Sequence, residues 1–165
     1  MSTKLFAALL VSVLIAPRVA SAAEDDVQTG NMYICPTTLL SQQLSSPKPS
    51  IELFVNEPWL SAIRDGAKIV EGRAGPLEEF SGWIGKQARF CSSEQDVIVN
   101  VIDVHHYDTL QEFLNVEGWK NAAPHLNSLE ETVNAYLQFY PGDYISEHGG
   151  MNGIIISVAH PTSTR

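Results

Sequence analysis

Val97-Ile98-Val99-Asn100-Val101-Ile102-Asp103-Val104 is the stretch on which the fold turns. It is β-branched at six of its eight positions, a composition that suits a pleated, buried ribbon. Strict alternation puts Val97, Val99 and Val101 on one face and Ile98, Ile102 and Val104 on the other. A half-solvated strand would carry its apolar residues on one side only. Apolar side chains on both sides predict a strand covered on both faces, or one rolled into a barrel.

Further segments flank it. Ile51 to Val55 and Ile84 to Cys91 read as strands, the second entered through Gly85, and Gly153 to Val158 as the closing strand after the Gly149-Gly150 turn. Between the first two, Asn56 is placed to cap a short helix with Pro58 in its first turn, Trp59 and Ile63 on one face, and Gly66 at its end. Lys68 to Arg73 reads as extended and Ala74 to Gly82 as a loop. Asp108 and Gln111 have capping-box spacing before a stripe of Leu110, Phe113 and Leu114. Ser128 and Glu131 repeat that spacing at the start of a longer helix, striped by Leu129, Val133, Tyr136 and Tyr140 and stopped by Pro141-Gly142. The expected class is α+β: a mixed β-barrel of about five strands with about three helices.

The N-terminus has a different grammar. Lys4 precedes an apolar run from Leu5 to Ile15, Pro17 ends the run, and Ala20-Ser21-Ala22 is a small-residue cleavage site, so residues 1–22 read as a secretory signal peptide. The run is too short for a spanning helix, which needs about 20 apolar residues. The expected location is secreted or lumenal, with no membrane segment in the mature form. Residues 23–50 are polar and carry Pro36, Pro47 and Pro49. They predict an extended lead-in, with Met32 to Ile34 docking beside Cys35. The folded domain then spans 51–162. In an oxidising compartment Cys35 and Cys91 are free to pair, and two buried thiols are the alternative. No Cys/His group has metal-ligand spacing, and neither metal nor cofactor is expected.

The 165-residue chain has 10 Lys and Arg against 19 Asp and Glu. Losing Lys4 and Arg18 with the signal leaves 8 against 19, a formal charge of −11. So acidic a surface excludes generic adhesion to phosphate backbones, and any contact with nucleic acid requires a local basic site. Arg64, Lys68, Arg73, Lys86 and Arg89 cluster in one part of the chain and would supply it if the strand from Ile84 lay beside Lys68.

Three ordered stretches resemble the ASCH family, a PUA-like group. The first runs from Glu57-Pro58-Trp59 through Ile63 and Gly66 to Lys68, Val70 and Glu71-Gly72-Arg73. The second is Val101-Ile102-Asp103-Val104 followed by Tyr107, Asp108, Phe113 and Leu114. The third is Ser128-Leu129-Glu130-Glu131 through Tyr136, Phe139 and Tyr140 to Gly153-Ile154. The resemblance implies a PUA-like barrel with a cleft beside the Lys/Glu/Arg segment, and RNA or a nucleotide-like molecule as partner. It also implies an alternative: hydrolysis of RNA or of acetylated cytidine. The amidohydrolases' essential lysine falls on Lys68, but their threonine nucleophile falls on Glu71 and their catalytic glutamate on Asn100. Neither replacement supports that chemistry. A scaffold role, with the barrel serving only interactions, is the reading from a third class.

The candidate ligand-binding residues are therefore Trp59, Lys68, Glu71, Arg73, Arg89 and Tyr107, with Lys68 and Glu71 also the candidate catalytic pair. Arg presents a planar fork to phosphate, Lys a point charge, and Glu an acceptor or base. Glu71 and Arg73 share a strand face, whereas Lys68 on a regular strand points away. Convergence of all three requires a bend, for which Gly72 is placed. An ordinary surface ion pair is the competing reading. Trp59 stacks on a base or packs in the core through Ile63, and Trp83 stands near enough in sequence to line the same cleft. His105 and His106 point to opposite faces, so at most one enters a given site.

Overall fold

The computed structural model describes Cys35 and residues 49–159; the signal segment and nearly all of the lead-in, Met32 to Ile34 included, lie outside the described residues. Five strands, β1 (Ile51–Phe54), β2 (Val70–Ala74), β3 (Gln87–Cys91), β4 (Asp96–Tyr107) and β5 (Met151–Val158), form one mixed sheet in the order β1-β3-β4-β5-β2. β1 and β3 are parallel, and the other pairs are antiparallel. Six helices accompany them: α1 (Trp59–Arg64), α2 (Leu77–Ser81), α3 (Leu110–Glu117), α4 (Trp119–Ala122), α5 (Leu129–Phe139) and α6 (Tyr144–Glu147). The expected α+β class is observed.

The sheet curls into a half-barrel, so the strands at its two ends approach each other. Arg73 of β2 donates from Nη2 to the carbonyl of Phe54 on β1 at 2.6 Å, bridging the two ends. A flat sheet in this strand order would keep three strands between β1 and β2.

β4 carries the curvature. Its register with β5 slips between Val101 and Asp103, so Ile102 is an extra residue. Such a bulge bends the strand and resets its alternation. Val97, Val99, Val101 and Val104 consequently all enter one core cluster with Leu60, Ile63, Phe90, Ile154 and Ile156. Ile102 is 55% exposed. The expectation that Val104 shares a face with Ile102 is thus corrected. A second cluster joins Val70, Tyr107, Leu110, Phe113, Leu114, Tyr136 and Met151, and Trp59 packs against both clusters.

Other expectations shift by a residue or two. The helix count is six rather than three, because α2, α4 and α6 have only four or five residues, too few to show a period. The loop expected over Ala74 to Gly82 contains α2, which buries Phe80 alone. Asn56 does not cap α1; the Glu57 carboxylate accepts the Ser61 N–H instead, at 3.0 Å. The cap of α3 is Thr109, which accepts from Glu112 N–H, one position past the Asp108/Gln111 box. The Ser128 cap is as expected, accepting from Glu131 N–H at 3.0 Å. Cys35 and Cys91 are disulfide-bonded with Cα atoms 5.6 Å apart.

Candidate functional site

The site is built around the segment between α1 and β2. Gly66, with φ +73°, turns the chain at the end of α1, a conformation that glycine adopts without strain. The carbonyl of Ala62 then accepts from both Ala67 and Lys68 N–H. Lys68 therefore lies in a turn ahead of β2, and strand parity does not govern its direction. No bulge at Gly72 is needed for convergence. The Lys68 side chain runs inward and is wholly buried. Its ammonium donates to the carbonyl of Val70 at 2.6 Å and to that of Ala122 at 2.5 Å, and it pairs with Glu71 Oε2 at 3.1 Å. An ammonium has three protons, and these three acceptors account for them. The indole of Trp59 lies 5.0 Å from Nζ.

Glu71 stands between two cations, with Oε2 toward Lys68 and Oε1 accepting from Arg73 Nε at 2.9 Å. Burial pushes the Lys68 ammonium below its ordinary value, and Glu71 offsets part of that shift. Burial also opposes the charge of Arg73, but Glu71 together with Tyr140 and Tyr136 outweighs it and leaves the guanidinium raised. Two cations and one carboxylate form a cluster with a formal surplus of one positive charge. The Arg73 side chain keeps 25% of its surface, and it is the part of the cluster open to solvent. Nε and Nη2 are engaged, while Nη1 has no partner among the described residues.

Aromatic rings lie near this cluster. Trp59 meets His125 edge-on at 4.5 Å and Tyr136 edge-on at 5.6 Å. His125 is exposed, and burial followed by the Lys68 charge lowers its pKa. Tyr140, at the end of α5, lies near Arg73 and Glu71, and burial above all pushes its phenol up. Gly72 explains how Tyr136 comes so close. A Cβ at position 72 would stand 2.6 Å from the Tyr136 hydroxyl oxygen and 2.8 Å from Met151 Cε. The glycine of Glu-Gly-Arg thus makes room for a phenol. Gly72→Ala is expected to destabilise the fold by about 1–3 kcal/mol through overpacking. Urea denaturation checks this, and an unchanged midpoint would contradict it.

Of the sequence candidates, Trp59, Lys68, Glu71 and Arg73 come together. Arg89 does not join them. Its guanidinium is held on β3 between Asp96 of β4 at 2.6 Å and Glu52 of β1 at 2.9 Å. Arg64 pairs with Asp65 and donates to Gln95. The five cations expected to form one patch are therefore divided: Arg64 pairs with Asp65, Arg89 with Asp96 and Glu52, and only Lys68 and Arg73 share Glu71. Tyr107 also lies elsewhere: its hydroxyl donates to Glu117, and its ring packs on Phe113. Trp83 packs edge-on to Phe80, 5.2 Å away, against the first core cluster. His105 is held between Glu117 and Asp103, and His106 contacts Asn152. Asn100 accepts from Gln87 of the adjacent strand. An open depression of about 320 Å³ is lined by residues including Arg64, Ile69 and Ile156, and by none of the three clustered charges. No group of three or more potential metal ligands occurs among the described residues.

Sequence reasoning missed Tyr136 and His125. Tyr136 shows in the sequence only as one member of a helix stripe, and His125 sits in a linker with no period at all.

The chain is similar to two solved structures. The crystal structure of hypothetical protein PH0355 is 27% identical, with a TM-score of 0.57 over 66% of this chain and 97% of that one. The solution structure of protein PF0455 from Pyrococcus furiosus is 23% identical, with a TM-score of 0.53 over 67% of this chain and 98% of that one. Almost the whole of each neighbour corresponds to two-thirds of this chain, and the likeness shows the same fold. No family model matches the chain, and no curated protein does.

Proposed function

We propose that the protein binds RNA or a nucleotide-like anion at the exposed edge of Arg73, and that it belongs to the ASCH group. The observation that carries this reading is the buried Lys68–Glu71–Arg73 cluster, with its positive surplus set among Trp59, Tyr136 and Tyr140 in a chain of formal charge −9. A partly exposed guanidinium suits a phosphate oxygen, and flanking rings suit a base. The Gly-x-Lys-x-Val-Glu-Gly-Arg pattern and the half-barrel support the family assignment.

Lys68 and Glu71 act here as positioning residues. Their polar atoms are taken up within the protein, which puts binding ahead of hydrolysis. The same saturation favours the scaffold reading as the runner-up. A secreted or lumenal location is part of the proposal, supported by the apolar N-terminal run and the Cys35–Cys91 bridge.

Arg73→Gln separates the two readings. Affinity for a single-stranded RNA oligonucleotide should fall at least about tenfold, the loss expected for a charged hydrogen bond. Binding should also weaken with added salt. Equal affinity of wild type and variant, with both proteins folded, would leave the scaffold reading standing.

A further inference from the structure

His105 on β4 lies outside the candidate site, and both of its ring nitrogens face carboxylates. Nδ1 is 2.6 Å from Glu117 Oε1, and Nε2 is 3.3 Å from Asp103 Oδ2. Only the imidazolium donates from both nitrogens; in the neutral ring one of them turns a lone pair on a carboxylate oxygen. The arrangement is therefore complete in the charged form alone. Asp103 of β4 and Glu117 of α3 are the charged groups that face the ring, and the Tyr107 hydroxyl donates to the same Glu117 oxygen. From β5, uncharged Gly153 stands opposite His105. The Glu117 side chain is 9% exposed and closely confined, since a Cβ on Gly153 would stand 3.2 Å from its Cγ. Its backbone leads to the candidate site. Glu117 is the last residue of α3, and its carbonyl accepts from the Asn121 side chain of α4 at 2.7 Å. The Asn121 carbonyl accepts from Ile69 N–H at 3.1 Å, and the Ala122 carbonyl accepts from the Lys68 ammonium at 2.5 Å. Every step from His105 to Lys68 is thus a hydrogen bond or a few residues of one short helix.

We propose that the charge on His105 sets how firmly α4 holds Lys68, so that the anion site at Arg73 is regulated by pH from a residue that does not touch it. The effect on affinity rests on the reading of Arg73 as an anion contact; the coupling from His105 to α4 does not. With the proton in place, Glu117 is anchored by a charged hydrogen bond and α4 is fixed behind it. Loss of the proton leaves Glu117 only a neutral hydrogen bond from the ring, which holds it more weakly. The Ala122 carbonyl is then less firmly presented to Lys68, and Glu71 positions Arg73 less rigidly. The hydrogen bond to Glu117 above all raises the imidazole over its ordinary 6.5. The stabilisation is therefore full below 6.5 and is lost as pH rises through the folded value. Anion affinity follows the same direction.

The test follows the His105 ring and the amides of Ile69 and Asn121 by NMR across pH in wild type, His105→Gln and Asp103→Asn, each with the Cys35–Cys91 bond intact. The probe for binding is the dinucleotide adenylyl-3′,5′-adenosine, whose diester keeps one charge throughout. In wild type the two amides should titrate with the midpoint of the His105 ring, and affinity should fall roughly threefold across it, the scale of coupling between linked sites. His105→Gln should abolish both changes, and Asp103→Asn should move ring and amide midpoints down together. Amides that ignore the ring overturn the inference, and dinucleotide binding that still depends on Arg73 then spares the anion reading. Amides that follow the ring in a protein that binds no dinucleotide at any pH support the coupling and overturn the anion reading. A pH dependence shared equally by wild type and His105→Gln belongs to another group, Lys68 included, and overturns the inference.

Discussion

Glu71→Leu is expected to lower the stability of the fold by about 3–5 kcal/mol, the range for removing one member of a buried ion pair. The shape of the side chain is nearly kept, so packing is not the cause. What remains is an ammonium with no exposed surface and only carbonyl oxygens for partners. Arg73 loses the acceptor for Nε as well. The pH dependence identifies the mechanism. The folded-state value of Lys68 already lies below its ordinary 10.5, so the unfolded chain binds more protons there. Stability from this group rises with pH until the unfolded lysine has also lost its proton, and it is lost as pH falls through the folded value. Without Glu71 the folded value drops further and that window widens toward neutrality. The variant should therefore recover part of its loss between neutral and alkaline pH, more steeply than wild type. Urea midpoints at several pH values measure this. A loss independent of pH would mean that Lys68 is not the group responsible.

Breaking the Cys35–Cys91 bridge is the second large effect. The bond closes a sequence separation of 56 residues and joins two side chains that are each less than 5% exposed. Loop-closure entropy for that span corresponds to roughly 4 kcal/mol of stabilisation. Replacing both cysteines with serine should lower Tm by on the order of 10 °C or more. The reductant dithiothreitol should do the same to wild type and nothing further to the variant. Melting curves that overlay under oxidising and reducing conditions would show that the bridge is energetically silent. Cys91 ends β3, next to β1 in the sheet and not next to β2. Cys91 is the register partner of Phe54, whose carbonyl holds Arg73, so losing the bond should cost stability and also weaken anion binding at Arg73.

How much was legible in advance differs from element to element. The Ser128 cap was readable because capping is settled within four residues. The α3 stripe of Leu110, Phe113 and Leu114 was readable because three buried positions at helical spacing declare a face. The cap of α3 slipped by one, since Asp108 and Thr109 offer competing boxes and only the extended backbone of Thr109 decides between them. Val104 was assigned the wrong face because alternation assumes an unbroken strand. The extra residue at Ile102 is set by pairing with β5, about 50 positions away in the chain.

In the candidate site, Lys68, Glu71 and Arg73 stood out as residue types in a motif, but their convergence could not be argued from spacing. Lys68 lies in a turn, where strand parity has no force, and its acceptor on Ala122 comes from 54 residues away. Arg89 was grouped with them by nearness in the chain, which carries no knowledge of Glu52 and Asp96. Local order alone established the α+β class, the main strands and the capped helices, because propensity, periodicity and turn chemistry act over a few residues. Only the tertiary structure decided which cations are spent inside the protein and which is left open, and that a phenol from α5 sits over Gly72. Those outcomes depend on burial and on partners contributed by distant segments, and no local pattern encodes them.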